Sequence, residues 1–74
     1  MKKYGGLSGE SGVIAYQLGD ESIRVKFVDG RVYTYSYAST GQVHVEHMKA
    51  LAACGQGLST YISKYVGAKF ASAS

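Results

Sequence analysis

The chain has 74 residues, 46% of them hydrophobic, and its eight Lys and Arg residues against five Asp and Glu give a net charge of +3. One small domain fits in this length, and a second domain is excluded. No apolar run approaches the roughly 20 residues that span a bilayer, and the residues after Met1 lack the apolar stretch of a signal peptide. We therefore expect a cytoplasmic protein that makes no use of a membrane.

Tyrosine is prominent in the composition, with seven residues beside a single cysteine. One cysteine cannot form an internal disulfide, so a chain this short depends on its core for stability. Because the larger aliphatic side chains are few, some of the tyrosines are expected to fill the interior or an interface.

The first half of the chain predicts a tail followed by three strands. Residues 1–11 are rich in Gly, Ser and Lys, which indicates a flexible N-terminal tail in which only Tyr4 or Leu7 touches the body. Apolar and polar residues then alternate in three segments, divided by turn residues at 19–21 and 29–30. The short connections predict an antiparallel meander. Its strands are expected over 13–18, 22–28 and 31–37.

Two short helices are predicted after the strands. Ser39 followed three residues later by Gln42 matches a capping box, and Gly55 can take the left-handed conformation that ends a helix. Ser59 is expected to cap a second helix, which Gly67 stops. Apolar residues recur at helical spacing in both segments. They are Val45, Met48, Leu51 and Ala52 in the first helix, and Ile62, Tyr65 and Val66 in the second.

Two registers are open for the hairpin at Asp29-Gly30. A two-residue type I′ loop builds a face that mixes the tyrosines with basic side chains. A three-residue loop with Gly30 in a bulge instead places Tyr33 and Tyr35 beside the aliphatic residues of the preceding strand. We favour the bulged register because it separates the apolar side chains from Arg24 and Lys26 and adds volume to a small core.

The order of these elements resembles the KTSC domain, a family of small bacterial proteins that also occurs at the C-terminus of some lysyl-tRNA synthetases. The resemblance is carried by the opening strand 13–16, the strand 23–27, Asp29-Gly30, Tyr33-Thr34-Tyr35 and the glycine corner before 59–62. It covers about residues 11–70, and the chain departs from the family at Ser39-Thr40-Gly41, where the family tends to have a Pro-containing helix start. The resemblance implies RNA binding, which the synthetase attachment suggests for the family.

The expected architecture is a single α+β domain over residues 12–70. It consists of a three-stranded antiparallel β-meander followed by two short α-helices packed on one face. Residues 71–74 are expected to form a loose C-terminal end.

RNA binding requires cations that meet phosphates and aromatic faces on which unpaired bases stack. The type I′ register supplies both on one face, whereas the bulged register keeps the cations and loses the stacking platform, so that phosphates dominate binding. The alternative function is a protein-interaction or self-associating module, a homodimer for example, that uses the Tyr-rich sheet. The candidate nucleic-acid-binding residues are Arg24, Lys26, Arg31, Tyr33, Tyr35, Lys64 and Lys69.

No arrangement typical of catalysis or metal binding is evident in the sequence. His44 and His47 lie one helical turn apart, but Cys54 is about two turns further on and cannot complete a zinc site with them. The histidines are therefore interpreted as solvated side chains. The glycines at 55–57 lack the Gly-Lys-Ser/Thr ending of a phosphate-binding loop. The sequence predicts a non-enzymatic domain without metal or cofactor.

Overall fold

The computed structural model describes residues 1–5 and 12–73. Within them the structure is α+β with an antiparallel sheet, as predicted, but the sheet has five strands in the order β1 to β5 rather than three. The strands are β1 Lys2–Lys3, β2 Val13–Leu18, β3 Ser22–Phe27, β4 Val32–Ser36 and β5 Ser72–Ala73. The helical elements are α1 Tyr37–Thr40, α2 Gln42–Cys54, α3 Leu58–Tyr61 and a π-helical turn over Ile62–Val66.

The two additional strands come from the two ends of the chain. Strand β1 pairs with β2, and β5 pairs with β4, so each covers part of an edge of the central meander. Residues 2–3 of the expected tail and 72–73 of the expected loose end therefore lie in strands, and Tyr4 touches the body of the protein as expected. Leu7 and the rest of 6–11, together with Ser74, lie outside the described residues.

Tyr4 attaches the N-terminal segment to the body of the protein. Its side chain is only 3% exposed and lies edge-on to the ring of Tyr16, with 6.4 Å between the ring centroids. The backbone N–H of Leu58 donates a hydrogen bond of 3.1 Å to the Tyr4 hydroxyl. The next residue, Gly5, runs so close to Gly55 that a Cβ on Gly5 would lie 3.2 Å from the Gly55 Cα.

The β3–β4 hairpin adopts the bulged register, which confirms the favoured alternative and excludes the type I′ loop. The N–H of Phe27 donates to the carbonyl of Arg31, and the N–H of Gly30 donates to the carbonyl of Phe27, each at 2.9 Å. Gly30 has a φ of +89°, a conformation that glycine adopts without steric cost. The opposed residues are Ser22 with Ser36, Ile23 with Tyr35, Arg24 with Thr34, Val25 with Tyr33, and Lys26 with Val32.

A single hydrophobic cluster joins the buried residues of the strands and of the helices. Tyr35 belongs to it and is 1% exposed, so tyrosine does supply core volume. The strands contribute Val13, Tyr16, Ile23, Val25 and Tyr35, and the helical elements contribute Val45, Met48, Ala52, Leu58, Tyr61, Ile62 and Val66.

The first helices begin differently from the prediction. The capping box is formed by Ser36 and Ser39, not by Ser39 and Gln42. The Ser36 hydroxyl accepts from the Ser39 N–H at 3.2 Å, and the Ser39 hydroxyl accepts from the Ser36 N–H at 3.1 Å. This box caps the short helix α1, and α2 starts afresh after Gly41. The predicted end of α2 at Gly55 is confirmed by its left-handed conformation.

The second helical segment also differs in detail. It starts at Leu58 after Gly57, without a side-chain cap from Ser59. Its second half is a π-helical turn in which the Gly67 N–H bonds to the carbonyl of Ile62, five residues earlier, at 2.7 Å. A turn of this width changes which residues share a face. Tyr65, predicted on the buried face, is 58% exposed.

Candidate functional site

The two candidate tyrosines of β4 lie on the core side of the sheet. Tyr33 is half-buried and its ring stacks on Phe70, with 4.8 Å between the centroids and 14° between the planes. Tyr35 is buried, and this burial, with a smaller contribution from the charge of Tyr33, raises its pKa to about 12. The Tyr35 ring is closed to a base and the Tyr33 ring already stacks on Phe70, so the exposed pair of tyrosines expected for the type I′ register is absent.

The opposite side of the sheet carries the basic residues of the strands. In β3, exposed Arg24 alternates with buried Ile23 and Val25, and Lys26 follows on the same side as Arg24. We call this side the outer face and define it by the residues that strand register places on the same side as Arg24 and Lys26. They are Lys3, Ala15, Gln17, Ser22, Arg24, Lys26, Val32, Thr34, Ser36 and Ser72.

Strand register arranges the outer face in rows. Lys3 lies opposite Ala15, and Ala15 lies opposite Lys26, so two lysines occupy one row across three strands. Gln17 and Arg24 form part of the next row. With about 4.8 Å between neighbouring strands, the Cα atoms of the two lysines are roughly 10 Å apart. The face therefore holds three cations and several neutral hydrogen-bonding groups.

Acidic side chains are absent from the outer face as defined by these described residues. Asp20 and Glu21 lie in the β2–β3 connection, Asp29 lies in the hairpin loop, and Glu46 lies on α2. The cations of this face therefore act together on an approaching anion, because their field is not cancelled by a neighbour within the face.

Arg31, another candidate, lies in the hairpin rather than on the outer face. Its Nε is 3.7 Å from a carboxylate oxygen of Asp29, and both side chains are well exposed. A hydrogen bond with Tyr33 is the largest of the effects that raise the pKa of Arg31, followed by the charges of Tyr33 and Asp29. An exposed ion pair of this kind contributes little stability.

Lys64 and Lys69 are exposed and belong to the helical half of the chain. Lys64 lies in the π-helical turn, and Lys69 follows it, with its carbonyl accepting a hydrogen bond from the Thr40 hydroxyl. The candidate residues are therefore not brought together in one site. Arg24 and Lys26 share the outer face, the two candidate tyrosines of β4 face the core, and the remaining three cations lie elsewhere.

Lys49 is not a free cation, because its ammonium group already has two partners. Its Nζ lies 3.0 Å from a carboxylate oxygen of Glu46 and donates to the carbonyl of Asp20 at 3.0 Å. The same Glu46 oxygen accepts from the Tyr37 hydroxyl at 2.6 Å. These contacts, the Tyr37 hydrogen bond first, lower the pKa of Glu46, and the hydrogen bond to Glu46 is the main cause that raises the pKa of Tyr37 to about 12. These contacts tie α2 to α1 and to the β2–β3 connection.

Sequence reasoning missed two sets of residues. The sequence predicts Lys3 in a tail, because a two-residue strand has no periodicity that places it on the sheet. The sequence predicts a solvated His44, but the side chain is half-buried and its Nδ1 lies 2.7 Å from the Tyr61 hydroxyl. His47 is exposed and packs against the ring of Tyr61. No three His, Cys, Asp or Glu side chains in 1–5 and 12–73 are grouped so as to hold a metal ion.

Comparison of the chain with protein-family models, with curated proteins and with solved structures gave no match. The resemblance to the KTSC domain therefore stays a prediction from the sequence. No helix in the described part of the chain is both long and apolar enough to cross a membrane.

Proposed function

We propose that the chain is a small, non-enzymatic, cytoplasmic RNA-binding domain of the KTSC type, which holds the phosphates of single-stranded RNA on the outer face. The observation that carries the proposal is the grouping of Lys3, Arg24 and Lys26 on one side of the sheet without a carboxylate among them. A cationic surface of this kind attracts polyanions, and phosphates are the anions that nucleic acid presents in series.

The neutral groups of the outer face fit the same role. Gln17 and Thr34 flank Arg24 across the sheet, and Ser72 lies opposite Thr34. Hydroxyl and amide side chains donate hydrogen bonds to phosphate and sugar oxygens, which positions a strand without reading its sequence. We therefore expect binding with little sequence preference and modest affinity.

The non-enzymatic assignment is supported by the roles that the polar side chains already have. Ser36 and Ser39 cap α1, and Glu46 is held between Tyr37 and Lys49. Each of these groups already completes a hydrogen bond or an ion pair within the fold.

Self-association is the competing function. The version that uses the Tyr-rich sheet loses support, because Tyr16 and Tyr35 are buried in the core of a single chain. Contact between two outer faces would oppose like charges, which disfavours a dimer there. Sedimentation at tens of micromolar is expected to show a monomer at low and at high salt, and a stable dimer that buries Arg24 and Lys26 would contradict RNA binding on this face.

The experiment is a fluorescence anisotropy titration of labelled single-stranded RNA at several salt concentrations, with single-stranded DNA in parallel. If three cations contact phosphates, the log–log slope of affinity against salt is expected to be about −2, since each contact on a single strand contributes about 0.7. Titrations carried to hundreds of micromolar protein at low salt that show no rise with either probe would refute the function.

A charge-matched pair of variants locates the site. R24Q/K26Q removes two cations from the outer face, and R31Q/K69Q removes two exposed cations outside it. The first variant is expected to weaken binding and to reduce the slope by about 1.4, whereas the second leaves both nearly unchanged. Equal losses in the two variants would show that net charge alone drives binding, and the outer face would no longer be the site.

A further inference from the structure

Three aromatic rings follow one another on the helical half of the protein. The centroids of His47 and Tyr61 are 4.5 Å apart, and those of Tyr61 and Tyr65 are 5.0 Å apart, with interplanar angles near 45° in both pairs. We call His47, Tyr61 and Tyr65 the aromatic ladder. Its central ring is 9% exposed, whereas Tyr65 is 58% exposed and His47 is also open to solvent.

The inner part of the ladder is fixed by the fold. Tyr61 belongs to the hydrophobic cluster, and its hydroxyl is 2.7 Å from Nδ1 of His44. His44 and His47 lie three residues apart on α2, so both reach Tyr61 from one side of that helix. The two open rings are therefore supported by a buried one, and little conformational entropy is lost when a flat ligand covers them.

The outer ring is exposed because of the π-helical turn. The Gly67 N–H reaches back five residues to Ile62, and the turn keeps Ile62 and Val66 buried while Tyr65 faces solvent. π-helical turns occur frequently at functional sites. An exposed tyrosine that packs against other rings is a preorganised surface for a further ring, because aromatic groups prefer stacked or tilted aromatic neighbours.

The charges around the aromatic ladder favour an anionic ligand. Lys64 precedes Tyr65 in the same turn and is exposed. From His47 to the end of the chain there is no Asp or Glu. Glu46, the acid next to His47 in sequence, is bonded to Tyr37 and Lys49. A flat aromatic ring that carries a phosphate therefore fits this surface better than an acidic or a purely aliphatic side chain does.

We propose that the aromatic ladder stacks one unpaired base of a single-stranded nucleic acid, with Tyr65 as the outer stacking residue. The proposal rests on RNA binding as proposed above and adds the place where a base, rather than a phosphate, is held. Stacking on tyrosine tolerates any base, because every base has a π-face. The extents of the protein are 31 × 23 × 22 Å, so one RNA strand that contacts both the outer face and the ladder passes around an edge of the domain.

The test uses single-stranded RNA that contains one 2-aminopurine, whose fluorescence is quenched when the base stacks. The full chain is compared with Y65F, which keeps the ring, and with Y65L, which keeps an apolar side chain without a ring. Quenching is expected with the unchanged chain and with Y65F. Y65L is expected to lose the quenching and to bind at least about fivefold more weakly, since stacking on an aromatic side chain is worth about 1–3 kcal/mol per base.

His47 provides a second variant on the other open ring. H47A is expected to weaken quenching while the far-UV circular dichroism spectrum stays unchanged.

Salt dependence separates this proposal from the proposed function. Y65L should keep the salt slope because it changes no charge, whereas R24Q/K26Q should reduce the slope and keep the quenching.

The outcomes distinguish the two proposals. Y65L that quenches and binds like the unchanged chain would overturn the ladder and leave the RNA-binding function standing. If Y65L loses quenching and affinity while R24Q/K26Q keeps the affinity and the salt slope of the unchanged chain, the aromatic ladder is supported and the outer face is not the phosphate-binding site. If the chain sediments as a dimer that Y65L converts to a monomer, the ladder is a protein interface and the stacking proposal is wrong.

Discussion

Replacement of Tyr4 tests whether the N-terminal segment belongs to the folded domain. The side chain is 3% exposed, and its hydroxyl accepts the N–H of Leu58, a residue that is itself fully buried. In Tyr4→Ala the ring is lost from the core, and in Tyr4→Phe only the hydroxyl is lost. The two variants therefore separate packing from hydrogen bonding at one position.

The expected magnitudes follow from these contacts. Truncation of a buried aromatic side chain to Ala costs about 3–5 kcal/mol of unfolding free energy. Tyr4→Phe leaves the buried Leu58 N–H without its partner, which costs about 1–3 kcal/mol. A domain of 74 residues has a total stability of only about 4–11 kcal/mol, so Tyr4→Ala removes a large fraction of it.

Urea unfolding followed by far-UV circular dichroism measures both effects. With an m-value of about 1 kcal/mol per molar urea, a loss of 3 kcal/mol lowers the midpoint by about 3 M. Tyr65→Ala is the matched control, because the same truncation at a side chain that is 58% exposed should cost less than about 1 kcal/mol. If Tyr4→Ala and Tyr65→Ala have equal midpoints, the N-terminal segment does not contribute to the core and the reasoning fails.

Three further predictions concern the hairpin, a close backbone contact and alkaline pH. Gly30→Ala should lower the free energy of unfolding, measured in urea, by about 1–2 kcal/mol: a Cβ at this position has open space around it, but alanine is strained at the left-handed φ. Gly30→Asn should lower it less, and equal losses in the two variants would contradict this explanation. Gly5→Ala should destabilise by about 1–3 kcal/mol, since its Cβ would press on the Gly55 backbone, and an unchanged midpoint would show that this contact is loose. Burial raises the pKa of Tyr35 to about 12 from 10.0, so above about pH 10 the unfolded chain releases a proton that the folded chain keeps. Stability should then fall as pH rises from 10 to 12, more in the unchanged chain than in Tyr35→Phe, and parallel pH profiles of the two urea midpoints would refute this.

The central strands and the hairpin register are predictable because each follows from a local pattern. The bounds of β2 agree with the alternation in residues 13–18, and the register follows from the need to separate Val25 and Tyr33 from Arg24. A shift of one residue would reverse the face of every side chain in one strand. Because the core has few large aliphatic side chains, the register that adds Tyr35 to the core is favoured over the one that exposes it.

The missed elements depend on contacts between distant parts of the chain. Strands β1 and β5 have two residues each, too few for a period, and they form because β2 and β4 present unpaired edges. The exposure of Tyr65 depends on the π-helical turn, whereas the spacing of Ile62, Tyr65 and Val66 fits an ordinary α-helix. The sequence does not predict Lys3 on the outer face because β1 is too short, and it does not predict the aromatic ladder because an ordinary helix would bury Tyr65.

The bulged hairpin also determines how the two proposed contacts with nucleic acid are distributed. In the type I′ register the tyrosines of β4 would have lain beside Arg24 and Lys26, and one surface would have served both bases and phosphates. The three-residue loop instead turns Tyr33 and Tyr35 towards the core and leaves the outer face with cations and hydroxyls. Stacking must then come from elsewhere, and Tyr65, the one tyrosine among the described residues that is more than half exposed, lies on the helical half. A loop that differs by one residue thus decides that phosphate contacts and base contacts lie on different surfaces.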